Sequence, residues 1–297
     1  MYRALVSGVT GHLGRELAAQ LAAAGVEVHG LIRQDTAFAQ SRNDVVRLHQ
    51  IDGSTERLVA IVREVRPDVV FHLAAVARRE HHMADITPFI TANVLFGAQL
   101  LESMRHSDCM RLVIAGSYLQ HFNTDGYRAF NLYAATKQAL EDIVAFYVDA
   151  FRLSAVRLTL PDIYSEHDTR SKLMTHVATA WATRTPLQLQ SDEAWIDPLH
   201  VEDAAAACLR AAHLLETDLV ARGSLIRYSV TSGQDVSATQ LVRLFETHGD
   251  RQIPIRRGIA WAGNRKIMPW RGETLPGWSA RVALQEGIAR IVAQRCR

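Results

Sequence analysis

A doubly wound α/β protein is predicted by three observations. Apolar runs of strand length alternate with helical stretches through roughly the first 160 residues. These runs are continuous rather than alternating in polarity, as strands covered on both faces of a parallel sheet must be. The first of them passes directly through a glycine-spaced turn into a helix.

Each element follows in order. "YRALVSG" is a short apolar run ending in glycine, "RELAAQLAAAG" is a helix closed by Gly25, and "VEVHGLI" is a second strand. Further strands are predicted at 45–51, 68–74, 110–117 and 153–160, with helical stretches near 55–65, 87–105 and 131–151 between them. Beyond residue 160 the rhythm breaks. Pro161, Pro186 and Pro198 interrupt one segment, and Pro254, Pro269 and Pro276 interrupt another that also carries Trp261, Trp270 and Trp278. Between them "VEDAAAACLRAAHLLE" (201–216) is an Ala-rich helix. The expected organisation is a dinucleotide-binding Rossmann domain over 1–160 and a smaller, irregular substrate lobe over 161–297. Elements that complete the main sheet are interleaved with that lobe.

Composition narrows the function classes. Of the 297 residues 48% are hydrophobic and 22% charged, which excludes disordered and fibrous classes. Thirty-three basic residues oppose 31 acidic ones without long blocks of either sign, so no electrostatic footprint for nucleic acid or an anionic membrane is present. Cys109, Cys208 and Cys296 are odd in number and widely spaced, which suits a reducing compartment. No signal peptide is read at the N-terminus, and no apolar run is read as approaching the ~20 residues of a membrane span. A cytoplasmic protein with a small-molecule partner is the expectation.

"SGVTGHLGREL" places Gly8, Gly11 and Gly14 between a strand and a helix. That spacing permits a tight turn, close approach of a pyrophosphate to bare backbone, and close packing of the helix, whose N-terminus meets the phosphate charge. At the end of the second strand, "HGLIRQD" has Ile32 and Arg33 where an NAD binder usually carries a carboxylate. NADP(H) is therefore expected, with Arg33 receiving the 2′-phosphate. The alternative makes Arg33 a solvated strand-end residue and gives the ribose to Asp35.

In "FNLYAATKQALEDI" (130–143), Tyr133 and Lys137 share one helix face. With seven tyrosines and only three lysines (Lys137, Lys172, Lys266), ~0.07 such pairs are expected by chance. Chemistry supplies a better account: an ammonium beside a phenol favours the phenolate and poises it for acid–base work.

On these residues the chain resembles the extended short-chain dehydrogenases/reductases, in the branch acting on nucleotide-linked sugars. The resemblance extends nearly end to end. It also rests on "IDGS" with Asp52, on "HLAA" at 72–75, on Asn93 in "NVLFGAQLLES", on "LHVEDAAAA" at 199–207 and on "LPGWSARVALQEGI" at 275–288. It implies a dinucleotide held along Gly8, Thr10, Gly11, His12, Leu13, Gly14 and Arg33, then Asp52, Gly53, Leu73, Ala74, Ala75, Asn93 and Leu160, with Tyr133 and Lys137 at the nicotinamide end. It further implies a Ser or Thr hydroxyl at the end of the fourth strand. Ser117 in "IAGSYLQHF" is the candidate, although alignment on Phe122 puts Tyr118 in that slot.

Family dehydratases carry an acidic pair after that hydroxyl, and "SYLQHF" has none. Reduction or epimerisation remains. The run "AGSYLQHFN…NLYAATKQALEDI…DIYSEHDTRSKLM" is most similar to the 4-ketoreductases and epimerases of CDP- or dTDP-linked deoxysugars. The expectation is hydride transfer from NADPH to C4 of a 4-keto-6-deoxy sugar, with Tyr133 donating the proton, Lys137 lowering its pKa and Ser117 orienting the carbonyl. Arg170 and Lys172 are candidates for the substrate diphosphate, and Arg78, Tyr118, Asp162 and Tyr164 for the sugar pocket. Resemblance alone implies a homodimer formed through the Tyr–Lys helix. A non-catalytic NADP sensor is the rival class. No metal is expected, since His81–His82 lacks ligand spacing, and no GxSxG hydrolase motif occurs. His200 and Asp203 are read as structural, Asp203 at a helix N-terminus that favours negative charge.

Overall fold

The computed structural model describes residues 1–33, 46–189, 195–217, 219–258 and 267–296. Strands β1 (Arg3–Ser7), β2 (Glu27–Arg33), β3 (Val46–Ile51), β4 (Val69–His72), β5 (Arg111–Ser117), β6 (Ser154–Leu160) and β11 (Leu225–Ser229) form one sheet in the order β11-β6-β5-β4-β1-β2-β3. Every pairing in it is parallel. The direction of winding reverses between β1 and β4, so the crevice at their C-terminal ends is where such a sheet binds ligands.

Helices cover both faces. On one, α1 (His12–Ala23) packs against α7 (Val201–Glu216), and Leu17, Leu21, Ala204, Cys208 and Ala211 join Val6, Phe71 and Val156 in one core. On the other, α2 (Thr55–Val65), α4 (Phe96–Arg105) and α5 (Leu132–Phe151) bury Ile61, Leu100, Met104, Leu140 and Val144 against Leu5, Val70 and Leu112. The central strands β1, β4, β5 and β6 are buried along nearly their whole length because both faces are covered, whereas the edge strands β3 and β11 are partly exposed. Thus α7 and β11, though late in the chain, belong to the main sheet.

The stretch before α4 contains α3 (Ile86–Ile90) and a π-helical turn at Thr91–Leu95. By length and composition Met83–Arg105 is long and apolar enough to cross a membrane. This corrects the expectation that no run approaches such a span. In the fold the segment buries Phe89, Leu100, Leu101 and Met104.

The lobe is built from β7 (Asp162–Tyr164), α6 (Leu173–Thr183), β8 (Leu187–Leu189), β9 (Trp195–Ile196) and β10 (Pro198–His200), together with β12 (Val236–Ser237), α8 (Ala238–Gly249), β13 (Ile255–Arg257) and α9 (Leu284–Arg295). Its separate core joins Trp181, Leu241, Phe245 and Ile288. Parallel pairing of β7 with β10 ties it to the start of α7.

Candidate active site

The glycine turn is closed tightly. Gly8 has φ +76, and a Cβ there would lie 2.7 Å from the Ala74 amide nitrogen, on the neighbouring strand end. A Cβ on Gly14 would lie 2.1 Å from the Gly8 carbonyl oxygen, which accepts the Gly11 amide at 2.9 Å. Only glycine fits these two positions. Gly11 caps α1 without a side-chain acceptor, and the first turn holds no acidic residue. The amides of His12, Leu13 and Gly14 therefore lack side-chain caps and present the positive end of the helix, which suits a pyrophosphate. Thr10 is half-buried on the turn, and Leu13 packs into the core beneath it. The His12 imidazole is 3.9 Å from Asp168, and burial lowers its pKa to about 4.

Arg33 is exposed at the end of β2; Asp35 lies outside the described residues. Asp52 is exposed at the end of β3, where its carboxylate accepts the Ser54 amide (2.9 Å) and hydroxyl (2.7 Å), and these bonds lower its pKa. Gly53, at φ +90, offers its carbonyl to Gln99 at 2.8 Å. Leu73, Ala74 and Ala75 continue β4 over the crevice, and Leu160 closes β6 on the side of the core. Asn93 bonds the loop that follows β4. It is buried, its Oδ1 accepts the Val76 amide (2.7 Å), and its Nδ2 donates to the Val76 carbonyl and to Thr136 Oγ1 (both 2.9 Å). With the amide engaged at both ends, Asn93 braces the strand-end loop against α5.

Ser117 ends β5, and α5 starts at an Asn131 cap that accepts the Ala134 amide at 3.0 Å. This brings the Tyr133 phenol close to Ser117, near enough for the serine hydroxyl to act on its ionisation. Tyr118 turns away, its hydroxyl donating to Asp162 at 2.7 Å, so Ser117 is the hydroxyl facing the phenol. Lys137 is buried and donates to the Ala115 carbonyl at 2.9 Å. Burial raises the Tyr133 pKa to about 12, opposed by the Ser117 hydroxyl and by the charge of Arg170. The expected lowering by Lys137 is thus corrected: the phenol is protonated, and the cation acting on it is Arg170. Burial, reinforced by Arg157, lowers Lys137 to about 8.

On the substrate side, Asp162 joins Tyr118 to Lys172, whose Nζ is 3.6 Å from the carboxylate. Arg170 binds the buried Asp168 through Nε and Nη2, both at 2.8 Å, and reaches the Ile163 carbonyl. Arg78 pairs with Asp85 at 3.2 Å. Tyr164 does not line a pocket. It is buried edge-on against His200, and Gly287 of α9 is so near that a Cβ there would touch its hydroxyl. Packing against the last helix leaves it no path to a ligand. Among the described residues no group of three metal-ligating side chains occurs.

Sequence reasoning missed three buried polar residues behind Ser117: Gln120, Glu141 and Arg157. One signal existed, an arginine in the middle of the apolar strand "LSAVRLTL", since a charge buried there requires a partner.

Known proteins share this fold. A UDP-glucose 4-epimerase of Mycolicibacterium smegmatis is 24% identical over 98% of this chain and 97% of its own length. A GDP-mannose 4,6-dehydratase of Vibrio cholerae is 35% identical, over 35% of this chain and 31% of its own length. A UDP-glucose-4-epimerase from Stenotrophomonas maltophila, solved with NAD and formylated UDP-arabinopyranose, superposes with a TM-score of 0.86 at 20% identity, covering 100% of this chain and 98% of that one. Residues 4–221 match the family model described as NAD dependent epimerase/dehydratase. The chain, which carries a glycine-turn cradle and a Ser–Tyr–Lys group on a seven-stranded parallel sheet, belongs to the NAD dependent epimerase/dehydratase family.

Proposed function

We propose that the chain reduces the 4-keto group of a CDP- or dTDP-linked 4-keto-6-deoxy sugar with NADPH. The supporting observation is the approach of Ser117, at the C-terminal end of β5, to a Tyr133 phenol that burial keeps protonated. A nicotinamide cofactor supplies a hydride when bound. The glycine turn and the amides of His12, Leu13 and Gly14 hold its pyrophosphate, and Arg33 receives a 2′-phosphate. The Ser117 hydroxyl orients the sugar carbonyl, and Tyr133 gives its proton to the oxygen that becomes the alcohol. Ketone, hydride and proton thereby balance as a secondary alcohol. The phenolate left on Tyr133 is favoured by the Arg170 charge, and Lys137 would hold the nicotinamide ribose. Arg170 and Lys172 guide the substrate diphosphate.

Dehydration is disfavoured because residues 118–122 contain no Asp or Glu. Epimerisation is the second reading, favoured by the full-length similarity to a UDP-glucose 4-epimerase. An intact Ser–Tyr–Lys group argues against a non-catalytic sensor. The test is consumption of NADPH, and separately of NADH, against CDP-, dTDP-, GDP- and UDP-linked 4-keto sugars. Tyr133→Phe is expected to lower kcat by about 10²–10⁴-fold while leaving the Kd for NADPH unchanged. Unchanged turnover in that variant, or preference for NADH, rejects the corresponding assignment. Interconversion of UDP-glucose and UDP-galactose without net NADPH oxidation selects the epimerase.

A further inference from the structure

Behind Ser117, Tyr133 and Lys137 lies a buried polar network that the chemistry above does not use. Glu141 follows Lys137 by one turn of α5 and is 4% exposed. Its Oε2 accepts from Gln120 Nε2 at 3.1 Å and lies 2.9 Å from Arg157 Nε, while its Oε1 accepts from Arg227 of β11. Gln120 is fully buried; its Oε1 accepts the Ser117 amide at 3.0 Å, and its Nε2 also donates to Gln138 at 3.0 Å. Arg157 is buried beneath Gly116, where a Cβ would lie 2.4 Å from its Nε, and it donates to Thr159 at 2.7 Å.

We propose that Glu141 and Gln120 are positioning residues for the reacting group: Glu141 orients the Gln120 amide that holds the Ser117 backbone, and it screens Lys137 from the Arg157 guanidinium. The first part follows from donor and acceptor complementarity. Turning the Gln120 amide over would set its NH₂ against the Ser117 N–H and its carbonyl against the Glu141 carboxylate, two repulsive contacts. The carboxylate therefore fixes one orientation, and with it the turn that begins at Ser117.

The second part follows from charge. Lys137 donates to the Ala115 carbonyl of β5, next to Gly116, under which Arg157 of β6 is packed and acts on its charge; His72 lies on β4, and Tyr133 and Glu141 stand one turn to either side on its own helix. Burial keeps His72 neutral, with its pKa lowered to about 3, and Tyr133 is protonated. Arg157 is thus the cation that opposes the Lys137 charge, and Glu141 is the anion bound to Arg157. Removing the anion exposes Lys137 to more of the Arg157 field.

Lysine scarcity makes this measurable without turnover. Labelling with [13Cε]lysine gives signals from Lys137, Lys172 and Lys266 alone, assigned with Lys172→Arg and Lys266→Arg. In Glu141→Gln the Lys137 midpoint is expected to fall by about one pH unit, and in Arg157→Met to rise by a similar amount. General loosening of the fold would not give opposite signs. Gln120→Leu is expected to lower kcat about 10-fold or more at unchanged NADPH Kd. Midpoints that stay fixed, or move together, overturn the screening role, and either charge variant alone still decides it if the other does not fold. An unchanged kcat in Gln120→Leu overturns the role in holding Ser117. Because this inference rests on the assignment of Ser117, Tyr133 and Lys137, the wild-type turnover assay is kept separate. Shifted midpoints in a protein that reduces no sugar nucleotide retain the network and reject the function. Fixed midpoints in an active enzyme reject the network alone.

Discussion

Ser117 and Tyr118 are adjacent hydroxyl side chains where β5 ends and a 3-10 turn begins, and they go to different partners. Ser117 approaches Tyr133, whereas Tyr118 donates to Asp162 and so ties the end of β5 to the lobe. Sequence alone left this choice open because alternation of side chains at a strand end depends on where pairing stops, and a shift of one residue exchanges the two. The geometry separates their expected effects. Ser117→Ala should lower kcat by roughly 10²-fold or more, as loss of one oriented donor does, with NADPH affinity retained. Tyr118→Phe should leave kcat within a few-fold and act on KM, since Asp162 is then left to Lys172 alone. Steady-state kinetics on both variants checks this, and a larger kcat loss in Tyr118→Phe reverses the assignment. The shared helix of Tyr133 and Lys137 was legible from their spacing. The direction of the Tyr133 pKa was not, because burial is a tertiary property and here outweighs the nearby charges.

Among the elements, α7 acts as a joint. The buried Asp203 carboxylate in its first turn accepts the amides of Arg281 (3.0 Å) and Val282 (2.9 Å), just before α9 begins. Trp278 donates to the Asp203 carbonyl, and Arg210 one face further along donates to the Pro276 carbonyl at 2.7 Å. The two strings "LHVEDAAAA" and "LPGWSARVALQEGI" are therefore halves of one contact. The sequence reading gave Asp203 only its helix-terminal role, since its partners lie nearly eighty residues away. Asp203→Ala should cost roughly 2–4 kcal/mol, because it removes two charge-assisted bonds and strands two amides. Urea unfolding measures the loss, and hydrogen exchange should place it first in α9. A loss below about 0.5 kcal/mol would show that the clamp contributes no more than an ordinary surface contact. Helices α6, α8 and α9 were not singled out from sequence, although "SATQ" carries a capping-box signature that the structure forms between Ser237 and Gln240.

At the scale of the whole molecule, legibility follows the origin of each core. Most of the main sheet was readable because its first six strands follow one another along the chain; β11, which carries Arg227 and follows β6 only after the lobe segment and α7, was not. The lobe was not, because its core gathers Trp181, Phe245 and Ile288 from helices separated by long irregular stretches. One surface also exceeds what local pattern explains. Met83, Ile86, Ile90 and Leu95 along the α3–α4 segment, and Phe146 on α5, are 91%, 44%, 46%, 49% and 57% exposed. α3 and α4 both pack on α5, and the exposed positions of α5 run through Ala139, Asp142, Phe146 and Ala150. Tyr133 and the buried Lys137 lie off that outer stripe, toward Ser117 and Ala115. A second copy covering the apolar residues would complete the homodimer expected from the resemblance, and a stable interface of this kind buries about 800 Å² on each partner. Phe146→Glu combined with Leu95→Glu places like charges on both sides of a two-fold contact, because an isologous surface meets itself. Sedimentation is expected to show a dimer for the wild type and a monomer for the double variant. Lys137 titration should stay unchanged, since the charges are added on the outer face of α5. A wild-type monomer at micromolar concentration, or a double variant that still dimerises, removes this face as the interface.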